Sequence, residues 1–201
     1  MAKDVALTVK DGIGWLTLLR PETRNAMDAE LMEAAVAALG TLPDGIGALV
    51  LAGDGLACAC DLRVVGASTV FVPAFGALGL SPDSGTSFHL TRALGGPAAI
   101  AAFLRNRRIT SAELAACGLA DEVAPDGDVR VTAQRLAEEV AGAAPAALLA
   151  TRRLIDTAPN RTFDDQLDAE AASIRGLATT ADFAEGVTAF FERRRPEFTG
   201  A

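Results

Sequence analysis

The sequence has no tyrosine, one tryptophan (Trp15), one histidine (His89) and three cysteines among 201 residues. A lone histidine leaves a zinc site or a metal-dependent hydrolase short of its commonest ligand. Three cysteines do not make a disulfide framework. Cys58 and Cys60, one residue apart in LACACDL, match neither a redox CxxC nor a zinc-ribbon spacing. They read as small buried apolar side chains in a reducing compartment. No apolar run reaches the length that crosses a bilayer, and the opening MAKDVALTVKDG lacks the apolar stretch of a secretory signal. Positive charge is in the minority: 18 Lys and Arg face 26 Asp and Glu, a net −8, which argues against a nucleic-acid surface. The patterns GxxxxGKS, GxSxG, and GxGxxG after a strand are all missing. P-loop, nucleophile-elbow and Rossmann chemistry drop out with them. The expectation is a cytoplasmic protein with no metal, no nucleic-acid partner and no membrane partner.

What is present is a composition that folds. Half the residues are apolar and 22% are charged, in a chain long enough for one domain with a real core. Val5, Leu7 and Val9 alternate up to Asp11-Gly12, and Ile13 to Leu19 follow, which predicts a β-hairpin. Asp28 precedes Leu31, Met32, Ala35, Val36 and Leu39 at helical spacing, with Gly40 as a stop. Ile46 to Leu51 reads as a strand, and Leu62 to Val65 and Thr69 to Val72 as two short ones. After a Gly- and Pro-containing loop over 76–85, helices are predicted at 86–94 and 98–104. Ser111 is the expected N-cap of another short helix, and Asp121 to Val123 one more strand. From Val129 onward every segment has helical spacing: 129–141, 145–156, 163–177 and 181–193. Pro145 suits a first helical position. The expected organisation is an α/β part over 1–127 and a helical region over 128–201, within one continuous domain.

Four stretches, in order, carry a family resemblance. LLRPETRNAMD resembles the "RPxxxNAm" approach to a first helix, and ACDLRVVGASTVFVPAFGALGLSPDSGTSFHLTRALG the central strand pair and glycine loop. RRITSAELAACGLADEVAP is similar to a stretch ending "GLVdxVvp", and ADFAEGVTAFFERRRPEFTG to "EGixAFxeKRxPxF". Together they identify the chain as a member of the crotonase (enoyl-CoA hydratase/isomerase) superfamily. The resemblance implies an α/β fold of ββα units wound into a spiral. It also implies a C-terminal helical region that builds homo-oligomers, trimers or pairs of trimers. The implied substrate is an acyl-CoA thioester of the kind met in fatty acid metabolism. Coenzyme A enters as part of that substrate, with no separate cofactor, and the implied reaction is of the isomerase or lyase class.

The match is interrupted at one place. In the family the strand ending here at Leu51-Ala52-Gly53 runs on into a "GxxFsaGaDl" loop, helices and a glycine-rich strand. Here Gly53-Asp54-Gly55 joins directly to LACACD. The absent block normally brings the first N–H of the oxyanion hole and most of the glycine run bearing the second. Losing one such donor costs on the order of 3 kcal/mol of transition-state stabilisation. The remaining candidates are the N–H groups of Gly53, Gly55 and Leu56, provided this turn opens a helix; the alternative is a plain junction. The two hydratase glutamates would fall at Gly55 and Phe75, and neither is an acid, so paired-carboxylate hydration is not expected.

One carboxylate stands in a suggestive place. Asp83, in SPDSGT, corresponds to the region where some crotonase relatives keep a base or nucleophile. An apolar acyl pocket formed with Phe75 and Phe88 would raise its pKa toward a useful range. The competing role is a helix N-cap. His89 reads as a core or interface side chain. For coenzyme A the resemblance points to Arg24 and Asn25, with Arg193, Arg194 and Arg195 as phosphate partners; those three arginines equally suit a solvated helix end. Two function classes follow: an acyl-CoA isomerase-like enzyme using Asp83, or a catalytically impaired crotonase-fold protein serving as assembly partner or acyl-CoA binder.

Overall fold

The computed structural model describes residues 4–20, 28–52 and 56–201. Asp11 and Gly12 take φ of 51° and 74°, the two left-handed residues that a two-residue primed turn requires. They join β1 (Val5–Lys10) to β2 (Ile13–Leu18) in antiparallel register, Lys10 opposite Ile13 and Val5 opposite Leu18. The third strand of this sheet, β3 (Ala48–Ala52), completes the order β1-β2-β3. Between β2 and β3, Asp28 caps α1 (Ala29–Leu39), its carboxylate accepting from the Leu31 N–H at 2.8 Å. That bond and the Arg20 guanidinium hold the Asp28 carboxyl below its ordinary range. Arg20 also pairs with Asp4 at 2.7 Å, tying the end of the hairpin to the start of α1. Val5, Leu16 and Leu18 then bury against Leu31 and Ala35.

A second core gathers around short elements: β4 (Val64–Gly66), β5 (Val70–Phe71), α2 (Thr86–Leu94), α3 (Gly96–Leu104), β6 (Ile109–Thr110), α4 (Ser111–Ala116) and β7 (Glu122–Ala124). Leu90, Ala102, Ile109, Leu114, Leu119 and Ala120 form its buried centre. The strands β4 and β5 do not pair with each other, contrary to the strand pair suggested by the family pattern. β4 runs parallel to β7, and β5 antiparallel to β6. Arg63 fixes the first of these pairings. Its guanidinium donates to the carbonyls of Cys60, Gly118 and Leu119, and its backbone N–H to Asp121 at 2.7 Å. Gly66 follows from the same arrangement, since a Cβ there would lie 2.5 Å from Oδ1 of Asp126.

Helix α4 is capped by Thr110, not by Ser111. The Thr110 hydroxyl accepts from the Glu113 N–H, and the Glu113 carboxylate accepts from the Thr110 N–H at 2.9 Å. This reciprocal box frees Ser111 to donate to the Ala67 carbonyl at 2.7 Å. The Thr110 bonds, with Arg107 assisting, hold the Glu113 carboxyl at about 2.

Helices α5 (Val129–Ala141), α6 (Pro145–Thr157), α7 (Phe163–Leu177) and α8 (Ala181–Glu192) end the chain. The structure divides into two compact units, residues 1–44 with 49–137, and residues 45–48 with 138–201. The first 9 residues of α5 thus belong with the α/β unit. There Trp15, buried in β2, donates to Gln134 at 2.8 Å and lies under the Arg130 guanidinium at 4.2 Å.

In the helical unit the chain beyond α8 folds back along it. Arg193 ends α8 in the left-handed region (φ 55°). Arg194 then grips Glu185 at 2.5 and 2.8 Å and Glu192 at 2.7 Å. Glu185 accepts in addition from the Glu197 N–H, and the buried Asp182 accepts from Thr199 and Gly200. Arg194 and the Glu197 N–H hold the Glu185 carboxyl at about 2, against an ordinary 4.5. A carboxylate depressed on folding stabilises fully above its ordinary value and loses that contribution as pH falls toward its folded one. The Glu197 amide resonance, which follows the folded state, is therefore expected to hold steady down to about pH 3 and to shift with a midpoint near pH 2. In Glu185→Gln that titration should vanish.

Candidate active site

The chemistry-bearing segment runs from Pro73 to His89 within the α/β unit. Pro73 leads into a 3₁₀ turn, Ala74–Leu78, that packs on α3, and a second 3₁₀ turn, Leu56–Ala59, packs on α2. The loop between the first turn and α2 carries Asp83. Its shape is dictated locally: Ser84 and Gly85 take φ of 49° and 73°, and the Thr86 N–H donates to the Asp83 carbonyl at 2.9 Å. That is a tight turn with two left-handed residues, one of them a serine, for which this region is uncommon. Strain of this kind persists where the surroundings over-determine the backbone, and it clusters at functional sites.

The turn decides between the two roles open to Asp83. Gly85, not Asp83, stands at the N-cap of α2, and no side chain caps the helix. The Asp83 side chain instead faces solvent, and among the described residues nothing donates to its carboxylate. The enclosed apolar pocket expected around it is not what the structure shows. Phe75 is half-buried and packs on Phe103 of α3, ring centroids 6.3 Å apart. Phe88 is 59% exposed, with the Arg92 guanidinium 5.1 Å from its ring centre. The reason is helical geometry: Thr86 and Leu90 take the inward face of α2, which turns position 88 outward. Leu78 and Leu80 are exposed too.

His89 is the residue whose place the sequence did not reveal. Its backbone N–H donates to the Gly85 carbonyl at 3.0 Å, and its ring lies over Gly85. A Cβ at Gly85 would meet His89 Cδ2 at 3.4 Å and Nε2 at 3.5 Å. Phe88 meets the imidazole edge-on, centroids 5.4 Å apart. The available signal was the spacing Gly85 to His89, one helical turn beginning at a glycine.

The remaining candidates separate. Gly53 and Gly55 lie outside the described residues, as do Arg24 and Asn25. Leu56 opens the four-residue 3₁₀ turn, so no α-helix follows the junction to lend its dipole. Cys58 is buried and Cys60 half-buried, and burial pushes both thiols up despite the opposing charge of Arg63. Neither is poised as a nucleophile. Of the three arginines, Arg194 is committed to Glu185 and Glu192, while Arg193 and Arg195 are exposed. Among the described residues no group of three or more His, Cys, Asp or Glu side chains could hold a metal ion, and no helix is long and apolar enough to cross a membrane. The helical unit contains an open apolar groove of about 600 Å³, lined by Ile174, Leu177, Phe183, Phe190 and Phe191 among others.

Residues 46–201 match the family model described as enoyl-CoA hydratase/isomerase. The chain is 32% identical over 172 residues to 1,2-epoxyphenylacetyl-CoA isomerase of Escherichia coli strain K12, covering 86% of this chain and 63% of that protein. It is 32% identical over 198 residues to a probable enoyl-CoA hydratase of Rhodobacter capsulatus, covering 98% of this chain and 76% of that one. The crystal structure of an enoyl-CoA hydratase from Polaromonas sp. JS666 superposes with a TM-score of 0.90 at 25% identity, covering 97% of this chain and 99% of that chain. With its mixed α/β fold and its ordered motifs, the chain belongs to the enoyl-CoA hydratase/isomerase family, within the crotonase superfamily.

Proposed function

We propose that the protein acts on an acyl-CoA thioester by proton transfer, with Asp83 as the base, and that it isomerises rather than hydrates. The observation that carries this reading is the Asp83 carboxylate, unpartnered among the described residues, held on a strained turn that leads into α2. Asp83 takes a proton from a carbon made acidic by the thioester. The resulting enolate oxygen is met by N–H donors of the 53–56 segment, and the proton returns to a different carbon. No atom is gained or lost, so one carboxylate suffices. Hydration needs a second group to activate water, and the corresponding positions hold Gly55 and Phe75. Arg24 and Asn25 would face the adenine and pantetheine. Arg193 and Arg195 are free of the Glu185 grip on Arg194 and serve the phosphates. The proposal includes a homo-oligomer working in the cytoplasm.

The exposure of Asp83 favours a second reading, a binder or assembly partner without turnover, because its carboxylate faces solvent and not an enclosed acyl pocket. Purified protein incubated in D₂O with a panel of 2- and 3-unsaturated acyl-CoA thioesters separates the cases by chromatography coupled to mass spectrometry. Isomerisation should give a double-bond isomer, resolved from substrate by retention time, that has gained no water and carries deuterium only as far as the proton on Asp83 exchanges with solvent. A product heavier by one water would overturn the isomerase assignment, and an unchanged panel would establish the second reading.

A further inference from the structure

We infer that the outer edge of β3 is a pairing surface for a second copy of this chain, the two strands running antiparallel about a two-fold axis at Val50. The inference is independent of Asp83 and of turnover. β3 ends the order β1-β2-β3, and among the described residues no strand lies on its other side. An edge of this kind presents backbone N–H and C=O groups shaped for one more strand. Natural edges are guarded by charge, proline or a bulge. β1, the opposite edge, has charged groups at both ends: the Asp4–Arg20 ion pair at its start and the exposed Lys10–Asp11 pair at its finish. β3 has no such guard. Residues 45–53, GIGALVLAG, carry no charge and no proline.

The occupant is another β3 because the strand matches itself. From Gly47 to Gly53 the sequence GALVLAG reads the same in either direction. A two-fold pairing is isologous, so each residue must suit its opposite in both directions at once. An antiparallel pair centred on Val50 sets Ala48 opposite Ala52, Leu49 opposite Leu51, and Val50 opposite itself. Residues 49 and 51 share a face. Leu51 packs against the first core, with Leu16, Leu18 and Leu31, whereas Leu49 is 47% exposed. Pairing lays the exposed Leu49 of each copy beside Leu51 of the other, and sets no like charges opposite each other. The five residues of β3 are few against the roughly 1,200–2,000 Å² of a stable interface. The dimer is therefore weak and reversible, and a covalent trap is the way to read it.

The parent, Val50→Cys and Leu49→Cys are oxidised mildly over a range of protein concentrations and compared on non-reducing gels. Amide exchange over residues 48–52 is followed in the parent and in Leu49→Lys. Directly opposite Cβ atoms lie about 4.5–5.5 Å apart, near disulfide reach, whereas position 49 and its copy are offset by two residues along the strands. Val50→Cys should give severalfold more linked dimer than Leu49→Cys or the parent, whose Cys58, Cys60 and Cys117 set the background. Exchange over 48–52 should slow as the parent is concentrated. Leu49→Lys changes an exposed position, so the fold is kept, but it sets a charge against a leucine face and should abolish that concentration dependence. Equal linking in the two cysteine variants overturns pairing about Val50. Exchange that ignores concentration overturns the edge as an interface even where Val50→Cys links, because exposed thiols also link by collision. An oligomer held by the helical unit alone gives that same result, with its mass unchanged in Leu49→Lys. No readout uses turnover, so this test and the isomerase assay fail separately.

Discussion

Asp83→Asn is expected to lower turnover of an unsaturated acyl-CoA by about 10²–10⁴-fold, the range a positioned acid–base group contributes, or roughly 3–5 kcal/mol of activation free energy. The size of the effect follows from isolation. Between Asp61 and Glu113 the sequence has no other Asp or Glu, so within the segment that builds the site no second carboxylate can take over. The substitution conserves shape and removes only the basic oxygen. Because the side chain is exposed and nothing among the described residues donates to it, folding loses no contact. The melting temperature should change by no more than about 0.5 kcal/mol implies, as for surface positions generally. Steady-state kinetics and thermal unfolding on the same preparation check both halves. Retained turnover would remove Asp83 from the mechanism, and a large loss of stability would show that the carboxylate has a structural partner.

Much of the fold was legible because local chemistry and burial agreed. The Asp11-Gly12 turn, the Asp28 cap and the Thr86 to Leu94 helix each carry a residue-level signature, and the observed elements follow them within a residue or two. Misreadings came where two residues competed for one job, or where partners lie far apart in sequence. Thr110 and Ser111 are both good caps, and Glu113 decides between them by lying three residues after Thr110. Pairing of β4 with β7 depends on Arg63 reaching carbonyls some 55 residues away, which no local pattern announces. The site was legible in the same uneven way. Asp83 could be singled out as a carboxylate in a glycine loop. Its exposure depends on which face of α2 turns inward, and the position of His89 over Gly85 depends on the turn at Ser84.

The largest loss of stability near the site is expected from Leu90→Ala, about 2–5 kcal/mol by the range for buried leucine truncations. Leu90 has no exposed surface and packs with Ala102, Ile109, Leu114, Leu119 and Ala120. These neighbours belong to α3, β6, α4 and the segment after it, elements too short to close independently over a void. Relaxation should therefore be partial and the cost should fall in the middle of the range or above. Against a typical stability of 5–15 kcal/mol, that corresponds to a drop in melting temperature of roughly 4–20 °C. Leu90→Met keeps most of the volume and should cost less than about 1.5 kcal/mol. Phe88→Ala, two residues earlier on the outward face, should stay near the surface value of about 0.5 kcal/mol despite removing a larger side chain. The contrast has a functional consequence. Leu90 holds α2 to its core, and α2 begins at Gly85, directly after the Asp83 turn. Leu90→Ala should thus reduce turnover along with stability, and lowering the temperature should recover both.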